Sequence, residues 1–234
     1  MQRDKAWDVH EYPCIGRFTW LRLEHFQFPE MKTAVARMQA PGSTDTLLEL
    51  ACCVGQTIRQ LVALGIESDR LYASDLHPEF ISIGFELFRD EDRIRTVFAA
   101  GDMLAPDDPN LKAMDGKVSL IHAASFFHLF TWNQQLVIGK RIVRLLRPDR
   151  TDNMLFGHQI GSVLPGEKAR LRGGGSRYLH DQSSFQRLWD EVGAATGTRW
   201  NVDVVELSPL PIPIPSFGDD SRIIRYSVQQ LPPA

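Results

Sequence analysis

The stretch TLLELACCVGQTIRQLVALG, residues 46–65, decides the fold class. Its first seven residues form a short apolar run, which is typical of a strand that is buried on both faces of a parallel sheet. From Gly55 the apolar residues recur at helical spacing, and the segment ends at Gly65, where a left-handed cap costs no Cβ clash. A buried strand that leads directly into a helix is the repeating unit of a doubly wound α/β sheet.

The same alternation continues along the chain. We predict further strands over residues 71–76, 94–102, 118–125, 154–161, 200–207 and 223–231, and helices over 77–90, 132–147 and 184–196. Residues 162–176 are rich in glycine and basic residues without periodicity, so we predict a mobile loop there. The predicted fold class is α/β, a doubly wound seven-stranded, mostly parallel sheet. We expect a single domain over residues 1–234, with residues 1–45 as an N-terminal lid and 46–234 as the core.

The composition narrows the classes of partner. Lys and Arg number 26 against 29 Asp and Glu, a net charge of −3, and the basic residues are scattered, which argues against nucleic-acid binding. No apolar run approaches the ~20 residues needed to span a bilayer, and no signal peptide is apparent, so we expect a cytoplasmic protein. The three cysteines, an odd number without metal-ligand spacing, indicate a reducing compartment and no metal site.

Acidic residues stand at or near the ends of the first three predicted strands. Because Gly55 is the only glycine in the first turn, a dinucleotide cradle of the GxGxxG type is disfavoured. The acids instead fit a nucleoside with an amino-acid tail: Glu49 near the ammonium, Asp75 at the ribose, and Asp102 with Met103 near the adenine. Asp75 could equally cap the following helix.

Several motifs carry a family resemblance: YPCIG (12–16), ELACCVGQ (49–56), IHAASFFHLF (121–130) and RIVRLLRP (141–148). With them the chain resembles class I S-adenosylmethionine-dependent methyltransferases over nearly its whole length. It is most similar to a fungal secondary-metabolite group that includes carboxyl O-methyltransferases of meroterpenoid intermediates. The resemblance implies S-adenosylmethionine as the cofactor, with these contacts: Glu49, Ala51, Gly55, Gln56, Asp75, Leu76, Asp102, Met103, His122 and Ala123.

The chain departs from the group at two places. The group has a glycine where this chain has Ala51, and the extra methyl group would either shift the cofactor slightly or weaken its binding. Members also have a longer stretch before the YPCIG motif, whereas eleven residues precede Tyr12 here. We therefore expect short loops to hold the acceptor.

Methyl transfer from a sulfonium is an in-line displacement, so the enzyme mainly has to orient the acceptor in a dry pocket. A carboxylate acceptor is ionised at neutral pH and needs no base, whereas a phenol or enol would benefit from a histidine base. The catalytic candidates are His128, His158, Gln159 and Arg177. We favour His128 for substrate contact or as a base over packing among phenylalanines; His158 could equally be structural. The aromatic candidates for substrate binding are Tyr12, Trp20, Phe126, Phe127 and Phe130.

The expected function is O-methylation of a carboxylate or hydroxyl on a small hydrophobic natural product of the meroterpenoid or polyketide type. One alternative is an isomerase or cyclase on the same fold, which would use acids and histidines for proton transfer. Another is a non-catalytic binding subunit. The sequence does not fix the oligomeric state, and a homodimer is left open.

Overall fold

A computed structural model describes residues 2–18, 21–170, 174–209 and 217–233. The chain consists of two compact units, residues 1–114 and residues 115–234, and each is described by itself. Within the described ranges, every helix is too short or too polar to cross a membrane.

The first unit alternates helices with three strands. The strands run in the order β3-β2-β1, and each neighbouring pair is parallel. Glu49 of β1 is opposite Ala73 of β2, and Asp75 at the end of β2 is opposite Ala100 of β3. The elements are α1 (Gln2–Val9), α2 (Pro13–Gly16), α3 (Pro29–Gln39), β1 (Leu47–Leu50), α4 (Gln56–Ala63), β2 (Leu71–Asp75), α5 (Pro78–Phe88), β3 (Val97–Ala100) and α6 (Pro109–Lys112).

Packing in the first unit follows from the sequence pattern. All four residues of β1 are buried, as the apolar run predicts. Helix α5 begins at Pro78. Proline is well suited to this position, because an N–H group in the first turn would have no partner within the helix. The same helix passes close to the turn after β1: a Cβ atom on Gly84 would lie 2.3 Å from the carbonyl oxygen of Val54. Only glycine therefore allows α5 to approach this turn so closely.

In the described part of the predicted lid, residues 2–18 and 21–45, the helices are α1, α2, α3 and a short 3₁₀ helix at Glu24–Gln27. Helix α1 lies against α5, where Ala6 and Ile15 are buried in a cluster with Val54, Phe80 and Ile83. Apolar burial thus fixes the N-terminal segment on the first unit. Its action as a lid, and the single-domain organisation, stay predictions.

The described residues of the second unit form two long helices and six strands. Strand β4 pairs with β5 in parallel, and β9 lies between β5 and β8 with antiparallel pairing to both. Strands β6 and β7 form a separate two-stranded sheet. The elements are β4 (Leu120–Ala123), α7 (Trp132–Leu145), β5 (Met154–Ser162), β6 (Gly166–Ala169), β7 (Ser176–Leu179), α8 (Gln182–Thr196), β8 (Arg199–Pro209) and β9 (Ser221–Leu231).

Both long helices of the second unit have a capping box at the N-terminus. Thr131 and Gln134 form the box of α7, and Asp181 and Ser184 form that of α8. With strands β1 to β5, β8 and β9 in a seven-stranded, mostly parallel sheet, the predicted fold class is confirmed.

The prediction of a loop over residues 162–176 is wrong. Gly166–Ala169 pairs antiparallel with Ser176–Leu179. The Tyr178 N–H donates to the Phe130 carbonyl over 2.8 Å, and Lys168 forms a 2.7 Å ion pair with Asp220. Strands of four residues, two of them charged in β6, are too short and too polar to show a period of two. Residues 171–173 lie outside the described residues.

Candidate active site

Acidic side chains stand at the carboxyl edge of the first unit's strands. Glu49 is in β1, Asp75 ends β2, and Asp102 follows β3 by two residues. Because the three strands are adjacent and parallel, these positions share one edge of the sheet, which is where doubly wound folds bind their ligands.

The turn between β1 and α4 is built on three residues in the left-handed region. The φ angles are 54° at Ala51, 51° at Cys53 and 69° at Gly55. An L-residue in this region costs about 1–2 kcal/mol. Gly55 is the one glycine among these three residues. The glycine pattern alone therefore does not predict that residues 51, 53 and 55 all have positive φ angles. The available signal was the run of small residues, Ala51 to Cys53.

Asp75 ties this turn to the start of α5. Its Oδ2 accepts the Cys53 N–H at 2.8 Å, and its Oδ1 accepts the His77 N–H at 3.1 Å. Burial raises the pKa of the carboxyl, and the two backbone donors oppose this rise. The N-cap position of α5 is His77, so Asp75 is not the capping residue itself.

Glu49 belongs to a buried polar chain. Burial raises its pKa to about 8, while the charge of His25 and a hydrogen bond from the Thr57 hydroxyl lower it. Thr57 Oγ1 is 3.3 Å from His25 Nε2. Thr57 is in the first turn of α4 and His25 is in the 3₁₀ helix at Glu24–Gln27. Neither residue was predictable as part of the site, because nothing in the sequence pattern relates a histidine at position 25 to β1.

The residues of this edge fit a nucleoside with a charged tail. Gln56 Oε1 is buried and has no hydrogen-bond partner among the described residues. It could therefore accept a hydrogen bond from a bound ligand. Leu76, directly after Asp75, is 56% exposed and offers an apolar face. Beyond β3, Asp102 Oδ1 accepts the Leu104 N–H at 2.8 Å, and Met103 is buried. Carboxylates, a buried acceptor and apolar side chains are the groups that ribose, an ammonium and adenine require.

In the second unit, two histidines that were predicted as site residues lie on adjacent strands. The ring centroids of His122 in β4 and His158 in β5 are 6.5 Å apart. Burial lowers the pKa of His122 to about 3 and that of His158 to about 4. Both rings are therefore neutral at neutral pH. Beside them, the Ala123 carbonyl accepts the Tyr226 hydroxyl at 2.6 Å.

His128 is a neutral hydrogen-bond donor. Its Nδ1 is 3.4 Å from the backbone nitrogen of Ile160. A backbone N–H can only donate a hydrogen bond, so Nδ1 is the acceptor. A neutral imidazole that accepts at Nδ1 carries its proton on Nε2. Burial lowers the pKa of His128 to about 3, and the charge of Arg177 and the neighbouring His158 lower it further.

Arg177 completes a cluster of donors around His128. The arginine is on β7, with its guanidinium carbon 4.0 Å from the centre of the Phe217 ring, and that ring is 5.7 Å from the His128 ring. Gln159 on β5 is 2% exposed, and neither amide atom has a hydrogen-bond partner among the described residues. His180, by contrast, is held between Ser184 and Gln135 as a structural group.

The aromatic residues predicted to bind substrate differ in their burial and in the residues that they contact. Phe126 and Phe130 contact each other, with ring centroids 5.0 Å apart. Phe127 is fully buried against Phe185 and Tyr226, as core residues are. Tyr12 stacks near His10, and Trp20 lies outside the described residues. All five substrate roles stay predictions.

Comparison with known proteins decides the family. A family model described as the meroterpenoid methyltransferase N-terminal domain matches residues 2–21. O-methyltransferase phiE of Fungal sp. (strain ATCC 74256) is 44% identical over 205 residues, which cover 88% of this chain and 67% of that protein. The chain belongs to this family of fungal methyltransferases. Asnovolin E/Chermesin D methyltransferase nvfJ of Aspergillus novofumigatus is 35% identical, over 88% of this chain and 73% of its own length.

Another family member, O-methyltransferase atr3 of Stereocaulon alpinum, is 39% identical over 86% of this chain, which spans only 58% of that protein. Solved structures share the fold. Haemonchus contortus phosphoethanolamine N-methyltransferase 2 in complex with S-adenosyl-L-methionine has a TM-score of 0.58 at 14% identity, over 99% of this chain and 60% of that one. The Burkholderia thailandensis 1,6-didemethyltoxoflavin-N1-methyltransferase with S-adenosylhomocysteine has a TM-score of 0.59 at 15% identity, over 99% and 87%.

Membership of the fungal methyltransferase family confirms the predicted resemblance, the enzyme class and S-adenosylmethionine as the cofactor. None of the names reported above favours the isomerase or cyclase alternative. The roles of individual site residues stay predictions.

Proposed function

We propose that this methyltransferase transfers a methyl group to a carboxylate of a small hydrophobic natural product and forms a methyl ester. The observation that carries the proposal is the bond from the Ile160 N–H to His128 Nδ1, which leaves Nε2–H as a donor. The guanidinium of Arg177 belongs to the same cluster. A neutral donor and a cation suit an acceptor oxygen that is already anionic, and a carboxylate is such an acceptor at neutral pH.

The chain's residues contribute binding, orientation and exclusion of water. When bound, S-adenosylmethionine supplies an electrophilic methyl group on its sulfonium. In the proposal, Asp75 and Glu49 with the turn around Gly55 hold it, while Arg177 and His128 orient the carboxylate. Phe126 and Phe130 provide an apolar wall, which favours a hydrophobic acceptor. No base is needed, in keeping with the lowered pKa of His128.

The relatives' names support this class of acceptor. Two are O-methyltransferases, and the family match at residues 2–21 is described as meroterpenoid. Isotopically labelled S-adenosylmethionine tests the proposal when apolar acceptors are offered in pairs, each carboxylic acid beside the alcohol or phenol of the same skeleton. We expect label only in methyl esters. Label in methyl ethers would overturn the carboxylate assignment, and absence of S-adenosylhomocysteine binding in calorimetry would overturn methyl transfer.

A further inference from the structure

The chain from His25 through Thr57 to Glu49 has one consistent direction of hydrogen bonding. The Thr57 hydroxyl has a single proton, and it donates this proton to the Glu49 carboxyl. At its contact with His25 Nε2, 3.3 Å away, the same oxygen must therefore accept. The imidazole then donates from Nε2. Each link stabilises the ionised form of Glu49.

All members of this chain are withdrawn from water. The exposed fractions are 6% for His25, 2% for Thr57 and 4% for Glu49. A buried carboxylate is costly unless hydrogen bonds or opposite charge offset the lost hydration. Burial favours the neutral acid of Glu49, whereas His25 and Thr57 favour the anion. The balance between the two forms therefore depends on them.

Other groups of the first unit that lie near Glu49 are neutral, acidic or already paired. Its register partner on β2 is Ala73. The Cys52 thiol is within electrostatic range of both Glu49 and Asp75. On α4, Arg59 is engaged with Asp90 through two hydrogen bonds of 2.9 Å. His25 and Thr57 are thus the side chains shown to favour the Glu49 anion.

We propose that His25 is a positioning residue that acts through Thr57 to orient the Glu49 carboxyl toward the ammonium of the cofactor's amino-acid tail. The inference rests on the proposed assignment of Glu49 to that ammonium. It makes the N-terminal segment part of the cofactor site, because His25 belongs to the 3₁₀ helix that precedes α3. Seating of this segment and capture of the charged tail are then coupled.

Calorimetry with two ligands on the full chain tests the inference. S-adenosylhomocysteine carries the amino-acid tail, whereas 5′-methylthioadenosine has the same nucleoside and sulfur without it. His25→Phe keeps a ring and removes the donor, and Thr57→Val keeps the shape and removes the hydroxyl. We expect each variant to bind S-adenosylhomocysteine about tenfold more weakly, the size of one lost hydrogen bond, with 5′-methylthioadenosine binding unchanged.

The matched controls are Thr57→Ser, which retains the hydroxyl, and His25→Gln, whose amide can donate in place of Nε2. Both should restore tail-dependent binding. The pH at which S-adenosylhomocysteine affinity is half-maximal should rise in His25→Phe and Thr57→Val and stay in place in Thr57→Ser, because loss of either support raises the pKa of Glu49.

Three results separate the outcomes. Equal loss of affinity for both ligands would show a general effect on the nucleoside site and would overturn the inference. Unchanged binding of S-adenosylhomocysteine with an unchanged pH midpoint would overturn it as well. If the wild-type chain bound neither ligand, the proposed cofactor site would fail, which is distinguishable from failure of the His25 assignment.

Discussion

The backbone N–H of Cys53 donates a 2.8 Å hydrogen bond to Oδ2 of Asp75. This bond joins the turn after β1 to the end of β2, so the acid assigned to the ribose also holds the turn assigned to the cofactor's tail. Asp75→Asn replaces one acceptor oxygen by a donor that faces a backbone N–H. We expect a loss of about 1–3 kcal/mol in unfolding free energy and weaker S-adenosylhomocysteine binding, measured by urea titration and calorimetry.

Asp69→Asn is the matched control for this change, since Asp69 is an exposed aspartate of the same unit. It should leave both quantities unchanged. An Asp75→Asn protein with wild-type stability and affinity would contradict the role of the Cys53 bond.

Ala51 adopts a φ of 54°, so Ala51→Gly relieves backbone strain. We expect an increase of up to about 1 kcal/mol in stability, because relief of the left-handed strain exceeds the entropy that glycine adds to the unfolded chain. Calorimetric melting should show a rise of about 2–4 °C in Tm. Ala36→Gly makes the same substitution at an exposed position inside α3 and should lower Tm instead. Equal shifts in both variants would contradict the strain argument.

Burial of Glu49 makes the stability of the ligand-free chain depend on pH. Because burial raises its pKa to about 8 from the ordinary value of 4.5, the folded carboxyl keeps its proton between these pH values while the unfolded one loses it. The contribution to stability therefore falls as pH rises from about 4.5 to 8 and is constant above. Glu49→Gln removes this contribution, so the variant's gain over wild type should grow with pH in urea titrations at pH 5.5, 7.0 and 8.5. A gain that is independent of pH would contradict the raised pKa.

Gly84 is the point at which α5 meets the Val54 carbonyl. In Gly84→Ala the new Cβ would lie 2.3 Å from that oxygen, so α5 or the turn must shift. We expect a loss of about 1–3 kcal/mol in unfolding free energy. Gly166→Ala is the control, because no atom lies within 4 Å of its Cβ position. Similar stability of the two variants would show that the contact yields easily.

Substitutions of His128 test whether its side chain acts as a hydrogen-bond donor or as a base. Asparagine can accept the Ile160 N–H but has no donor at the place of Nε2, whereas glutamine can extend a donor there. We expect kcat/KM for a carboxylic acid acceptor to fall about tenfold or more in His128→Asn and less in His128→Gln. Since burial lowers the pKa of His128 to about 3, the wild-type rate should show no ionisation of this ring between pH 5 and 9. A fall in rate below about pH 6.5 that is lost in His128→Asn would point to a base.

The strands that position the site were predictable from sequence because they are apolar and buried. Leu47 to Leu50 and Leu120 to Ala123 are buried at every position, so each segment is apolar except for one site residue, Glu49 or His122. The hairpin of β6 and β7 was not predictable, because its stability comes from contacts such as that of Tyr178 with Phe130, 48 residues apart by number (178 − 130). Such contacts leave no local period.

Site residues divide in the same way. Glu49 and Asp75 stood out because an acid at a buried strand is costly without a partner. His25 gave no signal, since its relation to Glu49 passes through Thr57 and depends on the path of the N-terminal segment. The direction of the His128 bond likewise depends on where the backbone of Ile160 passes.

The two adjacent cysteines of the turn have a chemical consequence. Burial raises the pKa of the Cys53 thiol to about 12 and that of Cys52 well above its ordinary value, with Asp75 raising both further. A thiolate is a strong nucleophile and a thiol is a weak one. In a turn assigned to a sulfonium ligand, an ionised sulfur would compete with the acceptor for the methyl group. Because their raised pKa values keep both sulfurs protonated, Cys52 and Cys53 are weak nucleophiles toward such a ligand.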